Sequence, residues 1–534
     1  MKRAYGLLAA SGLMAVGCLV YTGCVFNTDL TDCAIYPHEG CGTGSGTSSS
    51  TTTGSTSGTG GMSPDCSGDP GTANVIDACG VFVQADAAGA EEEGTQAHPY
   101  KSLQKALDNA GSKRVYACSS APYEEAVTIA APVEMFGGFE CAKGWGWNAD
   151  AKSTLNGPAG AVALTLTKQG DGSKVQGFAI TSAGATMKGG SSVAVTVDDI
   201  AAALISCEVT AGDGMAGEDG VTPAGTATNG TDAPLPDAMA MNACINAASV
   251  VGGPAGMTTC DDGMTAGGLG GKGGITGMMS GDGAKGADGT SADGANGLGG
   301  AGESVTKCLV GAPGKDGTDG AVGDAGALPG SLSLKGITDT NMTDGMPGTR
   351  GFGGGGGGGA KSGLFCLAAT DGNGASGGGG GAGGCGGKGG GGGKAGGSSI
   401  AIVSLGTKLK LTGVALKTGK GGDGGKGIAG QGGGDFGAGA KGGAASGTAP
   451  SKAGCQGGNG GAGGGGGPGG GGRGGHSLGI AYTSAPTSAP AIKDFLGTLA
   501  GSGGPAASGN MMDNGSPGAA GACWDFATNA ACTP

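Results

Sequence analysis

Arginine is nearly missing from this 534-residue chain: after Arg3 the sequence holds only Arg114, Arg350 and Arg473. With a net charge of −13 there is no basic stripe to follow a phosphate backbone, which excludes nucleic acid as a partner. Aromatic residues make up 4% and charged residues 13%, against about 25% charged in ordinary proteins. Large stretches therefore cannot bury enough apolar surface to offset chain entropy, and a single large globular core is excluded. Histidine occurs three times, at His38, His98 and His476, and no Cys-x-x-Cys pair exists, so a zinc site is not expected. No phosphate-cradling Gly-x-x-x-x-Gly-Lys-Ser/Thr loop occurs. What fills the space is glycine, 135 residues of 534.

The chain opens with Met1, Lys2 and Arg3 and an uncharged apolar run from Ala4 to Val20, which reads as a secretory signal over residues 1–23. Ala15-Val16-Gly17-Cys18 has the form of a lipobox and resembles the acylation site of bacterial lipoproteins; Tyr21-Thr22-Gly23-Cys24 is the alternative, with a bulky Tyr21 against it. That resemblance implies a membrane partner reached through a lipid anchor on Cys18 (alternatively Cys24) and a place on the cell surface or outer membrane, with plain secretion as the alternative. Of 17 cysteines, acylating Cys18 leaves 16, an even number for bridges. The close spacings Cys33/Cys41, Cys66/Cys79, Cys244/Cys260, Cys366/Cys385 and Cys523/Cys532 suggest local loop closure in an oxidising compartment, and Cys118/Cys141 lie 23 residues apart, about one turn of a solenoid. Residues 24–62, rich in Gly, Ser and Thr, read as a tether.

From residue 63 to 212 the pattern is a cap and strands. Pro99 at an opening turn, Leu103, Ala106, Leu107 and Ala110 at helical spacing and Gly111 at the end predict a helix within His98–Ala110. Short runs follow at Val115–Cys118, Ala126–Ile129, Val133–Phe136, Ala163–Leu166 and Val175–Ile180. An internal repeat is then legible: Gly189-Gly190-Ser191-Ser192-Val193-Ala194-Val195 leads to Leu204–Gly212, Gly396-Gly397-Ser398-Ser399-Ile400-Ala401-Ile402 leads to Leu411–Gly419, and a looser copy starts at Gly474 with Leu478 and Ile480. Val193/Val195, Ile400/Ile402 and Leu478/Ile480 alternate as strands with one buried face.

Units of this kind bury their apolar face only by stacking. The Gly94–Ala110 stretch, GTQAHPYKSLQKALDNA, and rungs of the type Gly177-Phe178-Ala179-Ile180-Thr181 resemble the right-handed parallel β-helix, the pectate-lyase-like fold. The expected fold class is thus all-β: a β-helix with an N-terminal capping helix, interrupted by glycine-rich insertions at 213–395 and 420–473, with coils at 396–419 and 474–534, the last ending in a cysteine-containing tail. The insertions have two dialects. Gly311–Gly326 has glycine at every third place and resembles collagen, although it holds one proline; Gly353–Gly359 and Gly461–Gly472 are nearly pure glycine and resemble the tracts of PE-PGRS surface proteins. Two states are open for them, flexible loops or bundles of extended three-fold helices, with Cys244, Cys260, Cys308, Cys366, Cys385 and Cys455 spaced as staples.

Proteins of the resembled fold cleave or bind acidic polysaccharides, chemistry that needs converging carboxylates or a carboxylate with a base. Asp198-Asp199 and Glu124-Glu125 are neighbours on strands and point to opposite faces. Lys113 and Arg114 at a strand entry, and Asp282, Asp288, Asp293 and Asp423 as calcium candidates, are the remaining options. The sequence reading is a non-catalytic surface protein, structural or adhesive, without cofactor or metal, displaying glycine-rich loops toward polysaccharide, matrix or its own copies. The alternatives are a polysaccharide lyase or hydrolase acting on an acidic glycan, and an ice- or surface-binding glycine-helix protein.

Overall fold

The computed structural model describes residues 66–532, apart from 278–280, 328–329, 339–342, 367–369, 447–450 and 489. Cys18, Cys24, Cys33 and Cys41 lie outside the described residues. The described residues fall in one compact unit, so sheets and glycine-rich segments belong together.

The chain is all-β with one helix of length. Three sheets of parallel strands, here A, B and C, are visited in the order A, B, C from Arg114–Cys118 as far as Ser477–Tyr482, after which the last turn passes from C to B without a strand in A; Gly146–Trp147 and Ala530–Ala531 add short antiparallel strands to A and C. Sheet A takes Gly80–Val83, Arg114–Cys118, Glu134–Glu140, Lys174–Gln176, Ala202–Ile205 and Leu409–Thr412; sheet B takes Tyr123–Glu124, Ser153–Gly157, Phe178–Ser182, Glu208–Ala211, Val414–Lys417 and Ile492–Leu496; sheet C takes Val127–Ile129, Leu164–Leu166, Ser192–Val197, Ser399–Ser404, Ser477–Tyr482 and Ala520–Asp525. In-register stacking puts like residues above like. Val115, Met135, Val175, Leu204 and Leu411 form one interior ladder, Leu155, Ile180, Val209 and Leu416 a second, and Leu164, Val195, Ile402 and Ile480 a third. All belong to one buried cluster.

The internal repeat is physical pairing. Val193 lies opposite Ile400, which lies opposite Leu478, although 207 and 78 residues separate them. The expected single buried face is corrected: Val193, Ile400 and Leu478 pack in a second cluster with Val403, Ala481 and Phe526, roofed by Leu332 and Ile337 of a hairpin from the first insertion. Both faces of these strands are therefore buried.

Three expected strands prove to be two each. Gly177 (φ 75°), Ser206 (φ 47°) and Gly413 (φ 63°) take left-handed conformations that turn the chain from sheet A to sheet B in successive layers. Their backbones are stitched, Gly177 N–H donating to Ile205 and Ser206 N–H to Thr412. The helix, α1, spans Leu103–Ala110 and not from His98: Ser102 accepts from the Lys105 amide, and the Glu125 carboxylate accepts from Ser102 Oγ (2.7 Å) and the Leu103 amide (2.6 Å), fixing the first turn there. Tyr100 instead extends sheet A beside Val83.

Among the described residues, every long glycine-rich segment leaves sheet B and re-enters sheet C. Residues 212–398 connect Glu208–Ala211 to Ser399–Ser404, residues 418–476 connect Val414–Lys417 to Ser477–Tyr482, and residues 497–519 connect Ile492–Leu496 to Ala520–Asp525. All three insertions occupy one corner of the column.

Candidate functional site

The glycine-rich segments are ordered, and their hydrogen bonds count three residues per turn. In 353–360, Gly354, Gly357 and Ala360 donate to Gly381, Gly378 and Ala375; Gly355 and Gly358 donate to Ala312 and Leu309; Gly356 and Gly359 donate to Ala287 and Ala284. Its carbonyls accept in the same rotation from Gly268, Gly271 and Gly274, from Gly300 and Glu303, and from Gly458 and Cys455. One extended three-fold helix thus has six neighbours, the packing open to backbones with nothing intervening. A Cβ on Gly354, Gly355 or Gly356 would collide with the carbonyl of Gly458, Leu298 or Leu269, so each face demands glycine.

The dialects now have a geometric meaning. Gly311, Gly314, Gly317, Gly320 and Gly323 donate in a row to Gln456, Asn459, Ala462, Gly465 and Pro468, so the triplet run packs its glycine face on this same chain. Along 353–359 all three faces are covered, whereas along 461–470 two are covered and the third, with Ala462, Gly465 and Pro468, leaves room for a Cβ at Gly465.

Aspartate and asparagine before glycine supply a second device. Asp213 Oδ1 accepts the Lys420 amide (2.7 Å) while Gly214 N–H donates to the Lys420 carbonyl (2.9 Å). Asp219-Gly220 grips Lys426 likewise, Asp232-Ala233 grips Ala438, and Asp316-Gly317 grips Ala462. These helices run parallel. Between antiparallel helices the grip spans two residues: Asn459-Gly460 holds the Gly439 amide and the Gly437 carbonyl, and Asp344-Gly345 holds the Gly392 amide and the Gly390 carbonyl. The calcium candidates serve in this framework. Asp423 accepts from the Ser502 amide (2.8 Å) and Asp288 from the Gly299 amide (2.7 Å), which hold both carboxyls below the usual range; Asp282 pairs with Lys361 and Asp293 with Lys315. Among the described residues no three His, Cys, Asp or Glu side chains gather as metal ligands.

Six disulfides are formed among the described residues. Cys66–Cys79, Cys118–Cys141 and Cys523–Cys532 close local loops. The expected pairs Cys244/Cys260 and Cys366/Cys385 are corrected to Cys244–Cys366 and Cys260–Cys385, and Cys308 joins Cys455. The reason is the lattice: helices adjacent in space are more than a hundred residues apart in sequence, so each bridge closes a long loop, worth up to about 5 kcal/mol in unfolded-chain entropy. Cys207, the free thiol among the described residues, is fully buried and its pKa is pushed up to about 11.

The catalytic candidates are dispersed. Glu124 accepts from Asn156 (2.7 Å), Glu125 caps α1, Asp198 and Asp199 sit in the turn after Ser192–Val197, Arg114 pairs with Glu134 (2.6 Å), and Lys113 reaches the Asp77 carbonyl. His98 lies exposed near Glu91. His476 is fully buried: its Nδ1 accepts the Ala519 amide (2.9 Å), its ring edges onto Phe526, and desolvation, aided by Arg473, lowers its pKa to about 3. It is a lock on the segment that re-enters sheet C. Two of the open grooves among the described residues bear on function. One of about 430 Å3 at the A–B corner includes Asp150, Lys152, Glu208 and Lys493. The other, of about 370 Å3, lies in the bundle between residues 224–228, the turn 259–262 and the 385–388 backbone. Sequence reasoning missed both: the first gathers residues far apart in the sequence, and nothing in a glycine tract marks where a neighbouring helix stops.

No family model and no curated protein matches the chain. Among solved structures, part of it is similar to the crystal structure of an alginate lyase from Paenibacillus sp. str. FPU-7, at 16% identity over 22% of this chain and a TM-score of 0.15. The similarity spans 47% of that chain, about half its length.

Proposed function

We propose that the protein is an exported, non-catalytic surface element in which a right-handed parallel β-helix carries a glycine-helix bundle as an adhesive or structural surface, reached through a lipid anchor on Cys18. The observation that carries this reading is that the three insertions leave from one corner and merge into one bundle cross-linked by Cys244–Cys366, Cys260–Cys385 and Cys308–Cys455. A loop serving chemistry on the column would be placed over a groove of the sheets; these segments instead satisfy one another's backbones and present Lys, Asp and Thr outward. The cyclic order of the sheets and the register of the ladders support the β-helix. The test is binding of the purified chain to cells, a glycan array and itself. Absence of binding in all three removes the adhesive role.

A second reading, a polysaccharide lyase or hydrolase on an acidic glycan, is favoured by the A–B groove, where Asp150 and Glu208 share a surface with Lys152 and Lys493. Incubation with alginate and pectin distinguishes them: release of unsaturated ends or reducing ends by the native chain, lost in Glu208→Gln, establishes the enzyme.

A further inference from the structure

The bundle contains one lattice position that is filled along half its length and then vacated. Segment 266–274 runs between two others: Gly268, Gly271 and Gly274 donate to the carbonyls of Gly354, Gly357 and Ala360, and their own carbonyls accept from Gly380, Gly377 and Gly374. Each row advances by three residues. At Ala266 the segment turns into the hairpin Met257–Cys260/Gly263–Ala266, and Thr265 Oγ1 takes the next amide, that of Gly383. The rows go on without it. The Gly386 and Gly389 amides continue the donor row, the Gly348 and Gly345 carbonyls continue the acceptor row, and none of these four groups has a hydrogen-bond partner among the described residues. At the far end the Gly392 amide is closed off by Asp344 Oδ1 (2.9 Å). Between Thr265 and Asp344 the vacancy spans nine residues of helix, about 28 Å at ~3.1 Å per residue. The bundle groove, which includes Gly348, Gly386 and Ala227, opens onto it.

The geometry points to this vacancy as a docking slot for an extended three-fold peptide with glycine at every third position, supplied by another polypeptide and running antiparallel to 373–397, as 266–274 does. The argument is continuity. A guest in that position meets the donor and acceptor rows at the three-residue step that the resident segment already uses, which is the three-fold counterpart of adding a strand to an open sheet edge. Glycine is required on the guest face turned to 373–397, because Gly267, Gly270 and Gly273 of the resident segment each lie where a Cβ would collide with the Gly380, Gly377 or Gly374 carbonyl. A pyranose chain lacks this alternating amide and carbonyl repeat. The inference rests on the reading of the bundle as a binding surface, yet its failure is separable: adhesion through another face leaves the slot amides unchanged.

The test is residue-resolved amide exchange on the full chain with the 18-residue probe (Gly-Gly-Ser)6 and the control (Ala-Ala-Ser)6. In the free chain Gly386 and Gly389 are expected to exchange rapidly, whereas Gly387 and Gly390, bonded to Gly464 and Gly467, are protected. The glycine probe is expected to slow Gly386 and Gly389 at least tenfold, and the control to leave them unchanged. Ala227→Trp, which fills the groove, is expected to abolish the slowing while Gly387 and Gly390 stay protected, showing an intact fold. The proposal is overturned if Gly386 and Gly389 are already protected in the free chain, if millimolar probe changes neither, if the alanine control works equally, or if only alginate oligosaccharides protect them.

Discussion

An interior glycine and an open one should respond to the same methyl group with opposite signs. Gly357 donates to Gly378 and accepts from Gly271, both at 2.8 Å, and its third direction faces Cys455 and Gln456. A Cβ there would sit 2.6 Å from the Gln456 carbonyl oxygen and nearer still to that of Cys455, below the ~3 Å floor of real contacts. The 454–461 helix would have to retreat by about 1 Å to clear the Cys455 carbonyl, weakening the Gly458–Gly355 and Cys455–Gly358 hydrogen bonds. Overpacking costs about 1–3 kcal/mol and a buried group left unpaired about 1–3 more, so Gly357→Ala should destabilise by roughly 2–6 kcal/mol. Gly432 is exposed and a Cβ on it meets nothing within 4 Å, so Gly432→Ala should stabilise by about 0.4–1 kcal/mol through the unfolded chain. Urea titrations of both variants, compared at constant slope, give the two values. If Gly357→Ala costs less than about 0.5 kcal/mol, or both variants move together, the six-neighbour packing is wrong.

Three further expectations follow from particular groups. Asp423→Ala should lose about 1 kcal/mol and Asp423→Asn less than half of that, since Asn459 and Asn373 make the same grip; because Asp423 titrates below the usual value of 3.8, its contribution is present above that pH and lost as pH falls through its folded value, measurable as a thermal-midpoint difference between pH 7 and pH 3. His476 titrates near 6.5 unfolded and about 3 folded, so the stability it confers is complete above pH 6.5 and declines below, by about 2 kcal/mol at pH 5; His476→Gln should flatten that part of the stability–pH curve relative to the native chain, and an unchanged slope refutes the buried neutral ring. The double variant Cys260→Ser/Cys385→Ser should cost about 2–5 kcal/mol and raise amide exchange across 373–397 before the sheets are affected; equal exchange in both regions contradicts the stapled bundle.

Strands with apolar alternation were readable because each carries its own signal: Val193-Ala194-Val195 and Ile400-Ala401-Ile402 announce both strand and repeat, and the two pair residue on residue. Corners were not. Ser206 has no residue-type signature for a left-handed turn, so Ala202–Ile205 and Glu208–Ala211 read as one run. Sheet C hid its second buried face, because the hairpin that covers Val193 comes more than a hundred residues later. In the bundle, composition stated how many faces of a helix are covered, but not which helix covers them; that assignment depends on contacts such as Lys420 with Asp213, 207 residues apart. The disulfide partners were lost for the same reason. Asp288 and Asp423 were weighed as calcium ligands, when their carboxylates accept backbone amides across the lattice.

That one corner hosts every insertion bears on how such a molecule changes over generations. Ser192–Val197, Ser399–Ser404 and Ser477–Tyr482 form consecutive layers whatever hangs between them. Whole hairpins can be gained or dropped by unequal recombination within glycine codons while the strands on either side keep their register, provided the change is a multiple of three residues. The hairpin that carries Leu332 and Ile337 is the exception, since its loss would uncover Val193, Ile400 and Leu478.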